Sequence, residues 1–404
     1  MKILMINKFL HKVGGAEAYT LKLGKFIQSQ GHEVQFFGMD HKNRCVGNAL
    51  NIYAEEKDFR NTSSINKIIY SFRTIYSFDA KKKLGVILDD FKPDICHLNN
   101  INFQLTPAII YEIKKKKIPI LQTVHDVQIA CPCHRFYIEH KKKICDNCKT
   151  GKFWNCIKNR CVHGSILKSC VAAMESYYYH IRNTYNLVDK YIAPSKFIAE
   201  QLIVAGVDKE RIIVKYNFSD DLDDFVPSNI DEKYALYFGR LSEEKGIRSL
   251  LEVCQTLKDI RVIIAGSGPL ESVVEEKVKS LKNINFVGFK SGNELKQLIA
   301  GARFCIYPSE WYENCPLSII ESESLGTPVI GSNLGGTNEL IEPGKTGLLF
   351  EGCNKDELAH AMILLWRNDV LTDKMKDNCL NVKSNTIKTY SKHLLELYME
   401  LIIR

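Results

Sequence analysis

The sequence predicts an α/β protein with two doubly wound parallel sheets in two domains. The chain has 404 residues, which is more than one ordinary hydrophobic core accommodates, so two domains are expected. Short apolar runs alternate with amphipathic stretches in both halves, a pattern typical of parallel strands wrapped by helices. The alternation stops at the acidic, proline-containing stretch SDDLDDFVPSNI and then restarts, so this stretch is interpreted as a linker.

The first domain is predicted over residues 1–218. It opens with the apolar run KILMIN, a turn containing Gly14 and Gly15, an amphipathic stretch from Ala16 to Gln30, and the apolar run EVQFFG. This order indicates a strand, a loop, a helix and a second strand. Three later apolar runs predict further strands of the same sheet: DICHLNN, IPILQTVH and KYIAPS. A Cys-rich insert occupies residues 131–170.

The second domain is predicted over residues 232–380, after a linker at 219–231. It contains six strand candidates, YALYFG, RVIIAG, INFVGF, RFCIYPS, PVIGS and TGLLF. A last helix, predicted over 381–404, either completes this domain or crosses back onto the first. Two such sheets facing each other would form a cleft at the carboxyl ends of their strands, where the ligands of doubly wound sheets bind.

Two glutamates flank a predicted helix start in ENCPLSIIE. Pro316 is predicted as the first helical residue, Glu313 precedes it, and Glu321 falls in the second turn. The free N–H groups of a helix start favour anions such as phosphate, so the two carboxylates are candidates to hold hydroxyls at the two ends of a sugar nucleotide. The alternative is that both are ordinary surface glutamates.

Other strand ends carry charged or titratable side chains. FGRLSEEKG offers Arg240 and Lys245, two cations able to clamp a diphosphate, although surface pairing of Lys245 with Glu243 or Glu244 is the alternative. His125 ends another strand and can hydrogen-bond a substrate hydroxyl, although a structural histidine is the commoner meaning; His97 is a weaker candidate. The pair Gly14–Gly15 lacks the G-x-G-x-x-G spacing of a dinucleotide site, which disfavours a dehydrogenase.

These motifs together resemble a known family. In their order and spacing, GGAEAY, HD at 125–126, FGRLSEEKG, GSGPL, ENCPLSIIE and GTPVIGSNLGGTNELI are similar to the family-four retaining glycosyltransferases of the bacterial polysaccharide and lipopolysaccharide group 1 type. The resemblance covers nearly the whole chain. It implies a GT-B fold, with two Rossmann-like domains facing across a cleft. It also implies transfer of a hexose or N-acetylhexosamine from a nucleotide-sugar donor to a saccharide acceptor, with retention of configuration and no metal required for catalysis.

The resemblance also implies roles for individual residues. The implied catalytic set is Glu313, His125, Arg240 and Lys245. The implied donor-binding set is Gly14, Gly15, Gly239, Gly268, Asn314, Pro316, Leu317 and Glu321. The sequence departs from the family pattern after Glu313, where it has NCP and many relatives have a phenylalanine and a glycine, so the shape around the donor sugar is expected to differ.

The Cys-rich insert predicts a structural metal site. Seven of the fourteen cysteines lie between Cys131 and Cys170. Cys145 and Cys148 have the two-residue gap common in zinc sites, and Cys156 and Cys161 would complete a four-thiolate set, with Cys131 as a competitor for one position. An iron–sulfur cluster and free thiols are the alternatives.

The partners and the location are predicted from charge and hydropathy. No run approaches the roughly 20 apolar residues of a membrane-spanning helix, and the first residues do not read as a signal peptide, so a cytoplasmic protein is expected. The net charge is +8, with lysine runs at 81–83, 114–117 and 141–143. These runs and the basic amphipathic stretch INKIIYSFRTIYSF at 65–78 suggest peripheral contact with an anionic membrane and a lipid-linked acceptor.

Two alternative functions are considered. A soluble transferase that makes storage glucan or a small glycoside would keep the same catalytic residues without the membrane contact. A zinc-containing nucleic-acid-binding protein would show strongly salt-dependent affinity for DNA or RNA. That hypothesis leaves the motifs of the second domain without a purpose, so no nucleic-acid partner is expected.

Overall fold

The chain forms two compact units. The computed structural model describes residues 1–56, 73–220, 222, 225–228, 232–381 and 385–403. Unit 1 comprises Met1–Tyr216 together with Ile387–Arg404, and unit 2 comprises Asn217–Thr386. The chain passes from unit 1 to unit 2 after Tyr216, two residues before the predicted boundary at 218. Part of the predicted linker 219–231, and residues 65–72 of the amphipathic stretch at 65–78, lie outside the described residues.

Unit 1 is built on a six-stranded sheet whose strand pairs are all parallel. Its order in the sheet is β2-β1-β3-β4-β7-β8, so the direction of winding reverses between β1 and β3. The strands are β1 (Lys2–Ile6), β2 (Glu33–Phe37), β3 (Ile95–Leu98), β4 (Ile120–Thr123), β7 (Lys190–Ala193) and β8 (Ile212–Val214). Five of the six were predicted. β8 has only three residues and none of them is fully buried, which explains why it was missed.

Helices of unit 1 follow the strands in the expected alternation. The first, α1 (Gly15–Ser29), lies one residue from its predicted bounds. A Cβ on Gly24 would lie 2.4 Å from Cζ of Phe36, so the glycine lets this helix pack directly on β2. The other described helices of unit 1 that precede Asn217 are α2 (Phe78–Phe91), α3 (Ala108–Lys115), α4 (Trp154–Lys158), α5 (Ile166–Ile181) and α6 (Lys196–Val204).

The Cys-rich insert and the chain terminus complete unit 1. The insert carries a short antiparallel hairpin, β5 (Tyr137–Ile138) and β6 (Lys143–Ile144), followed by α4 and α5. The last helix, α13 (Ile387–Ile403), belongs to unit 1 and contacts α1 and β3. It buries Tyr390, Leu394 and Tyr398. Of the two placements that the sequence left open, the chain adopts the one in which the end of the chain returns to the first domain.

Unit 2 contains a second six-stranded parallel sheet, ordered β11-β10-β9-β12-β13-β14. Numbered within the unit, this is the order 3-2-1-4-5-6 of the Rossmann fold, with its topological switch point between β9 and β12. All six strands were predicted: β9 (Ala235–Phe238), β10 (Val262–Ala265), β11 (Ile284–Phe286), β12 (Phe304–Tyr307), β13 (Val329–Ser332) and β14 (Gly347–Phe350). β9, β10, β12 and β13 are buried at every position, as the central strands of a covered parallel sheet should be.

Helices cover the sheet of unit 2 and pack on its apolar residues. They are α7 (Ile247–Thr256), α8 (Glu271–Val278), α9 (Gly292–Gly301), α10 (Leu317–Ser324), α11 (Lys355–Arg367) and α12 (Asp369–Asn381). No helix in the described parts of the chain is long and apolar enough to cross a membrane.

Candidate active site

The candidate site of unit 2 lies at the switch point of its sheet. β9 and β12 are hydrogen-bonded neighbours, and their carboxyl ends lead into the loops that carry Arg240, Lys245 and Glu313. Ligands of doubly wound sheets bind at this position because the loops on the two sides of the switch point diverge and leave a crevice. The topology therefore brings together two motifs that are far apart in sequence.

Lys245 and Glu313 form a buried ion pair. Lys245 Nζ lies 2.6 Å from Glu313 Oε1 and donates a second hydrogen bond, of 3.0 Å, to the Tyr307 hydroxyl. Ser309 Oγ and Trp311 Nε1 donate to the same Glu313 oxygen at 2.7 and 2.6 Å. The glutamate is only 7% exposed. The anticipated alternative, pairing of Lys245 with Glu243 or Glu244, is not what the structure shows.

These contacts keep the carboxylate charged. Burial alone would raise the pKa of Glu313, but the charge of Lys245 and the hydrogen bonds from Lys245, Ser309 and Trp311 outweigh burial and hold the pKa below its usual value. The ammonium of Lys245 also lies 5.4 Å from the ring centroid of Tyr307 and 5.6 Å from that of Trp311. The side chain of Lys245 is thus fixed on several sides.

Glycine at two positions is needed to hold the loops together. Gly246 follows the 3-10 turn Glu243–Lys245 with φ +69°, and a Cβ there would lie 1.8 Å from the carbonyl oxygen of Pro308. Gly335 has φ +59°, and a Cβ would lie 2.4 Å from the carbonyl oxygen of Glu313. The amide of Gly336 donates to that same carbonyl at 2.7 Å. These close backbone contacts therefore hold in place the loops that carry Lys245 and Glu313.

The glycine turn GSGPL has a structural role in this arrangement. A Cβ on Gly266 would lie 1.9 Å from the carbonyl oxygen of Gly239, and one on Gly268 would lie 2.5 Å from that of Leu241. The turn thus packs against the backbone on both sides of Arg240, which is itself exposed. Gly239 is exposed as well.

The helix after Glu313 differs slightly from the prediction. Pro316 was predicted as its first residue, but the helix begins at Leu317, and Pro316 is the N-cap with ψ 119°. Pro316 has extended backbone torsions, and the preceding Cys315 accepts two hydrogen bonds from Asn217. Glu321 lies in the second turn, as predicted, and is half-buried, as are Asn314 and Leu317.

A second group of polar side chains lies at the strand ends of unit 1. His125, just after β4, is partly exposed, and its Nε2 hydrogen-bonds Asn99 Oδ1, just after β3, at 3.0 Å. Tyr19 of α1 packs edge-on against the imidazole, with 4.9 Å between ring centroids. Burial lowers the pKa of His125 to about 3, so the imidazole is neutral at physiological pH. It can exchange hydrogen bonds but carries no charge.

Sequence reasoning missed a lysine-centred group beside His125. Lys8, after β1, donates to Asn102 Oδ1 at 2.5 Å, and Asn102 in turn donates to Asp126. Burial raises the pKa of Asp126, whereas the charge of Lys8 lowers it. Burial lowers the pKa of Lys8, opposed by the charges of Asp126 and Glu17. The signal in the sequence was polar residues directly after three strands that are neighbours in this sheet order.

His97 is a structural residue. It is fully buried, its Nδ1 hydrogen-bonds the Tyr398 hydroxyl at 2.6 Å, and its Nε2 hydrogen-bonds Thr123 Oγ1 at 2.8 Å. Burial, with a smaller contribution from the charge of His125, lowers the pKa of His97 to about 3. Tyr390 of the same terminal helix hydrogen-bonds Tyr19 at 2.7 Å. The end of the chain therefore supports the residues beneath His125.

Gly14 and Gly15 lie at the start of α1. Gly14 is the N-cap in extended conformation and Gly15 is the first helical residue; both are exposed. A Cβ on Gly14 would meet only Glu17 Oε2, at an ordinary 3.5 Å. Within the described part of unit 1, both glycines at the start of this helix are therefore accessible to solvent.

The cysteines of the insert gather in one cluster. Cys145, Cys148, Cys156 and Cys161 belong to an apolar cluster that also includes Cys133, and Cys131 lies against Cys133. Among the described residues, no three or more His, Cys, Asp or Glu side chains are arranged so that they could hold a metal ion as they stand. The zinc set Cys145, Cys148, Cys156 and Cys161 stays a prediction.

Two six-stranded Rossmann-like sheets, one in each unit, are the fold of the GT-B class. The same fold is found in the Anabaena protein Alr3699/HepE, whose crystal structure in complex with UDP is similar with a TM-score of 0.71 at 18% identity over 99% of this chain and 100% of that one. Sucrose-phosphate synthase from Thermosynechococcus elongatus also has a TM-score of 0.71 at 18% identity, over 100% of this chain and 99% of that one.

Sequence comparison agrees with this class. Residues 13–221 match the family described as Glycosyltransferase Family 4, and residues 219–381 match Glycosyl transferases group 1. The chain belongs to Glycosyltransferase Family 4. An uncharacterized 42.6 kDa protein in the cps region of Klebsiella pneumoniae is 23% identical over 84% of this chain and 87% of its own length. Alpha-monoglucosyldiacylglycerol synthase of Streptococcus pneumoniae is 23% identical over 99% of this chain and 86% of its own length.

Proposed function

We propose that this glycosyltransferase moves a hexose or N-acetylhexosamine from a nucleotide-sugar donor to a saccharide acceptor, with retention of configuration, in the synthesis of a bacterial surface polysaccharide. The observation that carries the proposal is the Lys245–Glu313 pair at the switch point of unit 2, with Arg240 on the same loop as Lys245. Alr3699/HepE, which shares the fold, was solved with UDP and with UDP-glucose. This supports a nucleotide-sugar donor.

Lys245 and Arg240 are assigned to the donor diphosphate. An ammonium has three N–H donors. Tyr307 and Glu313 take two of those of Lys245, so one is left for an oxygen of the diphosphate without breaking the pair. Arg240 is exposed and adds a second cation. As the bond between sugar and diphosphate breaks, charge grows on the leaving group, and two fixed cations stabilise that charge.

Glu313 is assigned to the transferred sugar and Glu321 to the ribose. Three donors converge on Oε1 of Glu313, and a carboxylate has further acceptor positions on Oε2 for a sugar hydroxyl. Glu321 lies in the second turn of α10. Within unit 1, the neutral imidazole of His125 is able to hydrogen-bond a substrate hydroxyl. Catalysis then rests on positioning and electrostatics, without a metal.

The test begins with a panel of sugar nucleotides. The compound that the native protein binds should raise its melting temperature and be hydrolysed slowly. With that donor, Lys245→Ala and Glu313→Ala should each lower turnover on the order of 10²-fold, by analogy with the loss of one stabilising donor. Lys345→Ala, which breaks an exposed ion pair with Glu342, is the matched control. Near-normal turnover in either site variant would refute the role assigned to the substituted residue.

Retention and metal independence need separate measurements. NMR of the product shows whether the new glycosidic bond keeps the anomeric configuration of the donor. Inversion would refute the retaining mechanism. Turnover in the presence of EDTA should equal turnover without it, and a loss that added Mg²⁺ or Mn²⁺ restores would refute metal-independent catalysis.

We further propose that the acceptor is lipid-linked and that the protein docks on the inner face of the cell membrane. The helix α5 of unit 1 presents Leu167, Met174 and Ile181 at seven-residue intervals, each at least half exposed, and Trp154 of α4 is half exposed too. A solvent-facing apolar row of this kind is typical of a lipid-contacting helix. Exposed lysines, Lys152, Lys158 and Lys168, lie near these apolar residues in sequence and would meet anionic headgroups.

Vesicle binding tests the docking surface. Vesicles with anionic lipid should pull down the protein, less so at high salt, and Leu167→Gln combined with Ile181→Gln should reduce binding. Val370→Gln, at an equally exposed position in unit 2, is the control. Absence of binding would favour the alternative of a soluble transferase that makes a glucan or a small glycoside.

A further inference from the structure

The insert between β4 and α5 concentrates thiols in a small space. Six of its cysteines, Cys131, Cys133, Cys145, Cys148, Cys156 and Cys161, form what we call the six-thiol cluster. Four of the six are buried, and the other two pack against them. Their buried apolar neighbours are Ile138, Phe153 and Ala173, and Ile157, Val162 and Tyr177 pack around these. Sulfur therefore makes up much of the interior of the insert.

The thiols touch one another. Cys131 Sγ lies 3.4 Å from Cys133 Sγ. The thiol of Cys133 also interacts with that of Cys161, and the thiol of Cys161 with that of Cys156, and these interactions affect their pKa values. Cys131 also lies close enough to Cys148 and Cys161 to act on both electrostatically, and Cys145 acts on Cys148. Cys131 and Cys161 thus each interact with three other thiols of the cluster.

The backbone around the cluster has an unusual conformation. Five non-glycine residues of this segment adopt left-handed φ angles: His134, Phe136, Lys142, Arg160 and His163. Each such residue costs of order 1 kcal/mol unless its surroundings enforce it. A two-residue hairpin, a helix of five residues and a handful of apolar side chains offer little to offset that cost. An additional source of folding free energy would offset the cost of these left-handed φ angles.

The spacing of the thiols is close to that of a metal site. In a tetrahedral zinc site with Zn–S bonds of about 2.3 Å, neighbouring sulfurs are about 3.8 Å apart. The Cys131–Cys133 contact of 3.4 Å differs from this by only a few tenths of an ångström. As they stand, the thiols of the described chain contact each other and not a common centre. Small side-chain rotations would turn S–H···S contacts into metal–sulfur bonds.

We propose that the six-thiol cluster binds one thiophilic divalent cation, Zn²⁺, and that Cys131 is an obligatory ligand. Cys131, which the sequence offered as a competitor for one position, becomes a required ligand because it is buried and its thiol contacts that of Cys133. Cys133, which no spacing in the sequence singled out, joins the available ligands. Four thiols lose their protons to solvent as four Zn–S bonds form, with no change of oxidation state.

The site has a structural role. Cys131 follows His125 in the same segment, and the backbone between them is tied by the hydrogen bond from Cys131 N to the Val127 carbonyl, of 2.8 Å. Zinc at Cys131 would thus fix the segment that leaves β4 together with His125. The ion itself takes no part in sugar transfer.

The first experiment measures metal per chain. The full-length protein is purified under reducing conditions without chelator and assayed by mass spectrometry of the elements. We expect about one zinc per chain, as for structural zinc sites in general. Cys131→Ser should lower the content at least about fivefold. Cys170→Ser, in the same unit but outside the cluster, and Cys254→Ser, buried in unit 2, should leave it unchanged.

The second experiment does not depend on the folding of a variant. A mercurial reagent is titrated into the wild-type protein while a chromogenic chelator reports released zinc. Release that follows modification of the cluster cysteines, identified by mass mapping, supports the proposal. The proposal is overturned if the wild-type protein holds less than about a tenth of an equivalent of zinc, or if Cys131→Ser keeps the full zinc content. It is also overturned if zinc is released without modification of the cluster, or if Cys131 and Cys133 form a disulfide in the protein purified under reducing conditions.

Discussion

Loss of Lys245 should destabilise unit 2 as well as slow the reaction. In Lys245→Met the apolar stem of the side chain remains, but Glu313 becomes a buried carboxylate without its cation. Removing one partner of a buried ion pair costs about 3–5 kcal/mol. Ser309 and Trp311 still donate to Glu313, and the Lys245 side chain is itself 21% exposed. These two facts place the expected loss near the lower limit, at about 3 kcal/mol.

The pH dependence gives a second, independent signature. In the wild type the pKa of Glu313 is lower folded than unfolded, so the pair contributes stability above the unfolded pKa and loses it as pH falls through the folded pKa. In Lys245→Met burial dominates and raises the folded pKa above the unfolded one. The variant should therefore gain stability relative to the wild type as pH falls from about 7 towards 5, because protonation of Glu313 is then favourable.

Urea denaturation followed by tryptophan fluorescence measures both effects. The double variant Lys245→Met/Glu313→Gln should recover a good part of the loss, because the buried charge is gone. Lys345→Met, which removes an exposed partner of Glu342, should cost less than about 1 kcal/mol. A loss below about 1 kcal/mol for Lys245→Met, or strictly additive effects of the two substitutions, would refute the energetic coupling deduced from the 2.6 Å contact.

Two further predictions concern buried titratable groups. Burial raises the pKa of Glu323 to about 7, so the free energy of unfolding should fall by about 3 kcal/mol as pH rises from the unfolded pKa to about 7. Urea denaturation at pH 5 and pH 8 measures this decline. Glu323→Gln should abolish the decline, whereas Glu275→Gln, at an exposed position, should not. The pKa of His97 is about 3, so the opposite pH dependence is expected for this residue. The free energy of unfolding should fall as pH drops below the unfolded pKa of histidine, by about 1.4 kcal/mol near pH 5.5. His97→Gln should flatten this slope, whereas His393→Gln, at an exposed position, should leave it unchanged. Identical pH profiles of either variant and the wild type would contradict the buried, neutral state assigned to that side chain.

The architecture of unit 2 could be predicted because its strands are short, apolar and regularly spaced. Central parallel strands are buried on both faces, so their sequences are nearly continuous apolar runs. β8 of unit 1, Ile212–Val214, was not predicted because three residues are too few to form a recognisable apolar run. The start of α10 was misplaced by one residue because the choice between N-cap and first helical position at Pro316 depends on ψ, and proline fixes only φ.

The partner of Lys245 could not be predicted from local sequence. Neighbouring Glu243 and Glu244 were the natural candidates within the motif, yet Glu243 pairs with Arg248. Lys245 reaches Glu313 because β9 and β12 are adjacent in the sheet, and strand order is a tertiary property. The two histidines show the same limit. His97 and His125 both lie at strand ends, but the helix that buries His97 comes from the end of the chain.

The two cations of the candidate site differ in a way that bears on how a donor binds. Lys245 is already held by Glu313 and Tyr307, so a ligand need not immobilise this long side chain again; a free lysine would lose about 2 kcal/mol of rotamer entropy on binding. Arg240 is exposed and has that freedom to lose. Fixing of Lys245 during folding favours a defined position for the diphosphate, whereas Arg240 is free to adjust to it. It follows that the sugar nucleotide should meet one rigid and one adaptable cation. Glu313, which holds the rigid one, should then influence diphosphate binding even though we assign Glu313 itself to the sugar.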